Sequence, residues 1–592
     1  MRTVKLLWRL FIYRPTLYLA NQLSWLSANL LALGAGLVVR QIFDALSSSA
    51  PAGTNVWSLV ALYVAVSSSR ALFGFFGVKA HVRHVFVTGG LLRRNMFAGV
   101  LRQPDAKALT VSPGEAISVF RDDVEQVDDS VDWTIDLTCS TIRSTAALAI
   151  MASVNLRLTV FVIAPLLLIS TLISKAADGI QQYRQQSREA TARVTDALGE
   201  MFGVVQAVQV AAAEDEVAVR IHQLSRQRQV TMLKDRTVNL LVEALMAVTS
   251  SIGMGLVLLL VGQSMQNGSF SIGDFALFAG YVELFSHFTG DLGTFLAHLK
   301  QTEVSIHRME AIVNADMEEL VKGNPLPIFG EVVPGPQLPA PIAEEFETLD
   351  VEGLTYHHPD SGRGIEGVNL HLSKGSFTVI VGMVGSGKST LLRCLLGLLP
   401  SDFGQIRWNG KPVEQPAETL IPPRVAYTGQ VPILFSQSIR ENIRLGQPLA
   451  ETTITDSVYQ AVLEDDISVM EHGLETVVGP RGVKLSGGQV QRVAAARMFA
   501  QSAELLVFDD LSSALDAHTE SLLWERFASR KSQTCLVVSH RPAALLRADQ
   551  IIVMRDGKVE DIGSLSDLLE RSVEMRKLWS GLNSSDRSTA TA

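Results

Sequence analysis

The chain has 592 residues, 47% of them hydrophobic, with a mean hydropathy of +0.23, a combination that excludes a chain soluble throughout and a length that exceeds one hydrophobic core. Lys and Arg number 51 against 60 Asp and Glu, and the formal charge of −9 excludes the basic footprint of a nucleic-acid binder. Cys139, Cys394 and Cys535 lie far apart, without the paired spacing of a zinc site or a disulfide framework.

In chain order, residues 1–15 mix Lys5, Arg9 and Arg14 with Trp8, Phe11 and Tyr13 and predict an amphipathic helix on a membrane surface rather than a cleavable signal. Six apolar spans follow, at 16–39, 57–78, 133–154, 158–173, 238–261 and 273–299. The segments after the first, third and fifth spans are short, whereas those after the second and fourth are long and basic, carrying Lys79, Arg83, Arg93 and Arg94 in one and Lys175, Arg184, Arg188 and Arg193 in the other. The positive-inside rule then places the long connections and both termini in the cytoplasm, with a bacterial plasma membrane as the expected location. Each long connection reads as helix, and 25 helical residues would extend a span by roughly 37 Å. Their turning points are expected near Ser112 to Glu115 and in the polar stretch from Arg184 to Glu200.

Domain boundaries follow from composition. Residues 1–312 form the membrane region, the proline-rich 313–346 a linker, 347–580 a domain of alternating strands and helices, and 581–592 a flexible polar tail. The expected fold is therefore multidomain: an all-α six-helix transmembrane domain followed by an α/β P-loop domain.

Phe377 to Val381 is a buried-strand pattern running into Gly382-Met383-Val384-Gly385-Ser386-Gly387-Lys388-Ser389 and then into a helix beginning near Thr390. Strand, glycine loop and helix together make a nucleotide-triphosphate cradle. Backbone N–H groups close on phosphate oxygens, Lys388 reaches the terminal phosphates, and the Ser389 hydroxyl can ligate Mg²⁺. ATP and Mg²⁺ are the expected cofactors. A second strand, Leu505 to Phe508, delivers Asp509 to the Mg²⁺ shell and Asp510 to the position of a base that polarises water; a third, from Thr534, ends at His540.

With Leu485-Ser486-Gly487-Gly488-Gln489 added, the chain resembles the ATP-binding cassette exporters over nearly its whole length. The resemblance implies a half-transporter that works as a dimer, the loop 485–489 of one cassette closing on ATP held by the other. It implies further roles: Tyr356 stacks on adenine, Gln430 senses Mg²⁺ and the membrane domain, Ser513, Ala514, Leu515 and Asp516 form the loop after the second strand, and His540 is the switch histidine. It also implies coupling helices in the two long connections. Two departures stand out. Pro480 lies where exporters commonly carry glutamate, and Asp510 stands where the catalytic residue is usually glutamate. A carboxylate one methylene shorter is withdrawn by roughly 1 to 1.5 Å, which predicts a hydrolysis-impaired site and a degenerate half of a heterodimer whose partner is a second half-transporter. A slow symmetric homodimer, an importer on the same membrane fold and an ATP-binding regulatory subunit are the alternatives. Within the spans, Arg70, Asp136, Arg143, Glu243, Glu283, His287 and Asp291 are costly in a bilayer. The last three share a helical face, open either to a cationic substrate or to an interhelical polar network. The identity of the transported substrate is not legible.

Overall fold

The computed structural model describes residues 2–47, 55–103, 111, 113–266, 270–323, 344–359, 361–479, 484–511, 515–528 and 533–580. The chain divides into two compact units that change over near residue 332.

The first unit is helical. Arg2–Tyr13 buries Leu6 and Leu10 in a cluster with Leu91, Met96 and Met309, while Trp8, Ile12 and Val4 face outward and Lys5 and Arg9 both pair with Glu318. Pro15 then starts the helix Pro15–Leu46, where its missing N–H costs nothing. The next helix, Val56–Arg102, has 47 residues, far beyond the roughly 20 needed to cross a bilayer, so its C-terminal half forms the predicted extension. Val124–Gly203 is continuous except at Asn155, whose φ of −156° and ψ of 101° are not helical. There the Asn155 side-chain oxygen accepts the Leu158 N–H at 3.1 Å, capping a new helix, so the three-residue separation between the third and fourth spans is realised as one capped break. The helices Glu214–Gln266 and Ile272–Val313 carry the fifth and sixth predicted spans. Among the described residues, Pro15–Leu46, Val56–Arg102 and Gly114–Leu167 are long and apolar enough to cross a membrane.

The turning points differ from expectation in one case. The first connection turns through the short helix Pro113–Ser118 and a π-helical turn, Val119–Asp123, close to the expected place. The second does not turn within 184–200, which is uninterrupted helix. It reverses between Gly203 and Glu214 through the short helix Val205–Val210, with Ala212 at φ +49°. Polarity made 184–200 resemble a turn, but nothing there breaks a helix.

The second unit holds two sheets. An antiparallel sheet has the order β2-β1-β4-β5, with β1 Thr348–His357, β2 Gly364–Ser373, β4 Phe403–Trp408 and β5 Lys411–Pro412. A six-stranded sheet has the order β10-β9-β3-β8-β7-β6, from β3 Phe377–Val381, β6 Val425–Thr428, β7 Leu505–Asp509, β8 Thr534–Val538, β9 Gln550–Arg555 and β10 Lys558–Gly563. All its pairings except β9 with β10 are parallel. Such a sheet is covered on both faces, and the sequence shows it: Val379, Val381, Leu506 and Phe508 join one core, Ile380, Leu505 and Val507 the other.

Candidate functional site

Strands β3, β8, β7 and β6 are consecutive neighbours, and parallel register brings their carboxyl ends level: Ile380 opposite Val538, Val538 opposite Asp509, Phe508 opposite Thr428. The phosphate loop, His540, the pair Asp509 and Asp510, and Gln430 therefore emerge in a row along one edge, where open parallel sheets place their ligands. Gly382 and His540, far apart in sequence, are brought together by strand order alone.

The glycine loop needs its glycines. Gly382, Gly385 and Gly387 have φ of +154°, +86° and +98°, and a Cβ on Gly382 would lie 2.2 Å from the Met554 carbonyl oxygen. Lys388 begins the helix Lys388–Leu395, and its ammonium folds back to donate to the carbonyls of Gly382 at 2.7 Å and Met383 at 3.0 Å, which holds the loop in shape. Met383, Val384, Gly385 and Ser386 face a cavity of about 670 Å³ shared with Gly364, Ile365 and Arg555.

The Ser389 hydroxyl donates to Asp509 Oδ1 at 3.1 Å. Asp509 is 2% exposed, and its other carboxylate oxygen, like the Ser386 hydroxyl oxygen, is buried without a partner among the described residues. A buried orphan oxygen beside a serine hydroxyl at the mouth of a phosphate loop is a donor set that fits Mg²⁺. Burial raises the Asp509 carboxyl above its usual range and Asp510 adds to this, while the Ser389 bond opposes it. A divalent cation would reverse that effect. Burial lowers the Lys388 ammonium despite both aspartates, and burial followed by the Lys388 charge lowers His540, which favours the neutral imidazole with one donor and one acceptor nitrogen. ATP with Mg²⁺ is the cofactor of this domain, and the cation neutralises charge on the transferring phosphates.

Asp510 is held by its backbone. Its N–H donates to the Val538 carbonyl at 3.0 Å and its φ is +53°, a left-handed conformation that aspartate tolerates better than most side chains. Gln430 and Thr390 flank the same edge, Gln430 exposed and Thr390 half-buried in the first turn of its helix.

The loop 485–489 is built separately. Ser486 caps the helix Gly487–Ala500 in a reciprocal box, its side chain accepting the Gln489 N–H at 3.3 Å while the Gln489 side chain accepts the Ser486 N–H at 2.9 Å. Leu485 packs into the core, whereas Ser486 and Gly487 are exposed and Gly488 is half-buried, so an anion-binding helix terminus faces outward. Sequence reasoning missed the brace beneath it: Asp466 accepts from Gln489 at 2.8 Å and from Arg492 at 2.7 Å. The i, i+3 spacing of Gln489 and Arg492 was the available signal, but their acceptor lies more than 20 residues upstream. Among the described residues, no hydrogen bond or ion pair joins 485–489 to 382–389.

Tyr356 is 4% exposed and lies in the core with Leu354 and Val368, its ring against His358 at 4.9 Å. The exposed imidazole beside it is His357, which lines the cavity and meets Asp402 at 3.0 Å. Asp516 accepts N–H groups from His518 and Thr519 at 3.1 and 3.0 Å, and so caps the helix Ala517–Ala528, while Leu515 is buried. Ser513, Ala514 and Pro480 lie outside the described residues.

The family described as ABC transporter matches residues 365–513, and that described as ABC transporter transmembrane region matches 23–287. ABC transporter B family member 1 of Dictyostelium discoideum is 27% identical over 494 residues, covering 81% of this chain and 52% of its own length, so the chain spans about half of that relative. A putative multidrug export ATP-binding/permease protein of Staphylococcus aureus is 28% identical over 473 residues, covering 79% of each chain. The solved structure of a bacterial Atm1-family ABC exporter with ATP bound shares the fold, with a TM-score of 0.78 at 20% identity over 96% of this chain and 98% of that one. The transmembrane-region match lies almost wholly in the first unit and the other in the second, so the chain joins an ABC transporter transmembrane region to an ABC transporter ATP-binding domain in one integral membrane polypeptide.

Proposed function

We propose that the chain is one half of a dimeric exporter in which its own phosphate loop retains ATP and its loop 485–489 serves turnover at the partner's site. One observation carries this: the carboxylate that would act on water is the short Asp510, on a backbone fixed to Val538, while the outward-facing Ser486 terminus is fully capped and braced. Such a chain is a better donor of a signature loop than a hydrolase, and a second half-transporter with glutamate at the equivalent position completes the pair. The substrate leaves the cytoplasm as the cavity reopens on the far side, with both termini and the cassette cytoplasmic in a bacterial plasma membrane.

The test is a comparison of two variants in the complex isolated from native membranes. Lys388→Ala should leave most ATP turnover, and Ser486→Ala should abolish it. Equal losses would instead indicate a symmetric homodimer, the reading favoured by the level placement of Gln430 and His540 along the same edge as Asp510. No loss in either variant would indicate a regulatory subunit.

A further inference from the structure

Two arginines stand at mid-depth of the membrane region. Arg70 lies 13 residues into the predicted span 57–78 and Arg143 lies 10 residues into 133–154, roughly 20 Å and 15 Å from the respective span starts at 1.5 Å per residue. Arg143 is engaged: it donates to the Asn29 side-chain oxygen at 2.6 Å and to the Ser140 hydroxyl at 3.3 Å, and Ser140 donates in turn to Asp291 at 2.8 Å. This chain of contacts ties the helices Pro15–Leu46, Val124–Gly203 and Ile272–Val313 and gives Asp291 the interhelical role, so it is not free to meet a cation.

Arg70 is different. It is exposed and, among the described residues, makes no hydrogen bond or ion pair, yet it is near enough to Arg143 for the two charges to repel. Its direction is fixed by helical phase. Gly77, two turns later on the same stripe, packs against Trp25, a Cβ there lying 3.0 Å from the indole nitrogen. Arg70 therefore lies on the stripe that faces the helix Pro15–Leu46, about two turns past Trp25 toward the outer side and beside the Asn29 and Arg143 network. A guanidinium at this depth is not left against lipid tails; it faces the bundle interior or water. Asp136 precedes Arg143 by seven residues, about 10 Å nearer the cytoplasm.

We infer that Arg70, next to the anchored Arg143, is the recognition group for an organic anion in the translocation path: a carboxylate, sulfonate or phosphate carried on an apolar body. Tyr63 and Phe73, both partly exposed within two turns of Arg70, suit the apolar part. The inference rests on the reading of the chain as a transporter, but binding is measured without nucleotide, so the two can fail separately.

The probes are lauroylglycine and lauroylglycinamide, which share a tail and differ in charge, with dodecyltrimethylammonium as the cation. Binding to the full-length protein in nanodiscs should favour lauroylglycine over the amide by at least about tenfold, the scale of one charge-assisted contact, and Arg70→Gln should remove the preference while Arg70→Lys keeps part of it. A wild type without anion preference, or one that prefers the cation, overturns the inference, as does a preference that survives in Arg70→Gln. So does a result in which Glu283→Gln reproduces Arg70→Gln and the charge-exchanged double variant restores the wild type, because Arg70 would then be an ion-pair partner for a second copy.

Discussion

Replacing Asp510 with glutamate should make the chain's own site faster. The carboxylate sits one methylene back from where a glutamate would place it, and the backbone cannot advance to compensate, because the Asp510 N–H is bonded to Val538 at 3.0 Å and Asp509 is in register with the same residue. A displacement of roughly 1 to 1.5 Å at a group that orients water can cost on the order of a hundredfold, or about 2.7 kcal/mol in the barrier. Asp510→Glu should therefore raise phosphate release by the purified, reconstituted chain by about 10- to 100-fold at saturating Mg-ATP. Glutamate fits a left-handed φ of +53° less well, so the gain should come with a lower unfolding midpoint. In the chain studied alone, the gained activity uses the signature loop of a second copy, so adding Ser486→Ala should remove it. Brisk wild-type turnover that the substitution leaves unchanged would refute the argument from carboxylate reach, and so would a gain that survives Ser486→Ala.

Asp509→Asn should separate stability from function. Burial raises the folded-state pKa of Asp509, so its protonated form is the better tolerated one; the wild type loses stability as pH rises through that value, and the asparagine variant lacks this dependence. Thermal unfolding of the nucleotide-free, metal-free chain at pH 7 should show the variant more stable by about 1 kcal/mol, with the stabilisation by Mg-ATP lost. Tyr356→Leu should lower the unfolding midpoint and leave ATP affinity intact, whereas His357→Ala combined with His358→Ala should weaken ATP roughly five- to a hundredfold and inorganic triphosphate little, as a fluorescence titration would show. Asp466→Asn should slow turnover at the site that the loop 485–489 serves while leaving ATP binding to the chain's own phosphate loop unchanged, because Asp466 braces Gln489 and Arg492.

What the sequence displayed and what it concealed divide along physical lines. The phosphate loop, Asp509 and His540 were legible because each follows a short apolar strand, and a strand that ends in chemistry within a parallel sheet ends at the same edge as its neighbours. The burial of Tyr356 was hidden because β1 is irregular: its register shifts between Val351 and Leu354 and again before Tyr356, so the two-residue alternation that tells inward from outward is interrupted just there. The second long connection's turn was misplaced because polar composition is not a break; Gly203 and the left-handed Ala212 are. Periodicity suggested a polar face around Asp291, yet periodicity on one helix says nothing of what the neighbouring helix offers, and Ser140 settled Asp291.

The same distinction bears on Asp510. A catalytic position is defined by distances to groups on other strands, which sequence spacing does not encode, but here those distances reduce to one strand pairing. β7 delivers Asp509 into the buried interior and leaves Asp510 half-buried one residue later, and the Val538 carbonyl fixes the step between them. With the backbone so held, side-chain length is the remaining variable, and the proposed impairment is one of rate rather than of fold. The signature loop carries no such constraint, since its cap and brace are complete within its own chain. A substitution that weakens hydrolysis at one site while leaving the loop that serves another undisturbed therefore needs no compensating change elsewhere in the cassette.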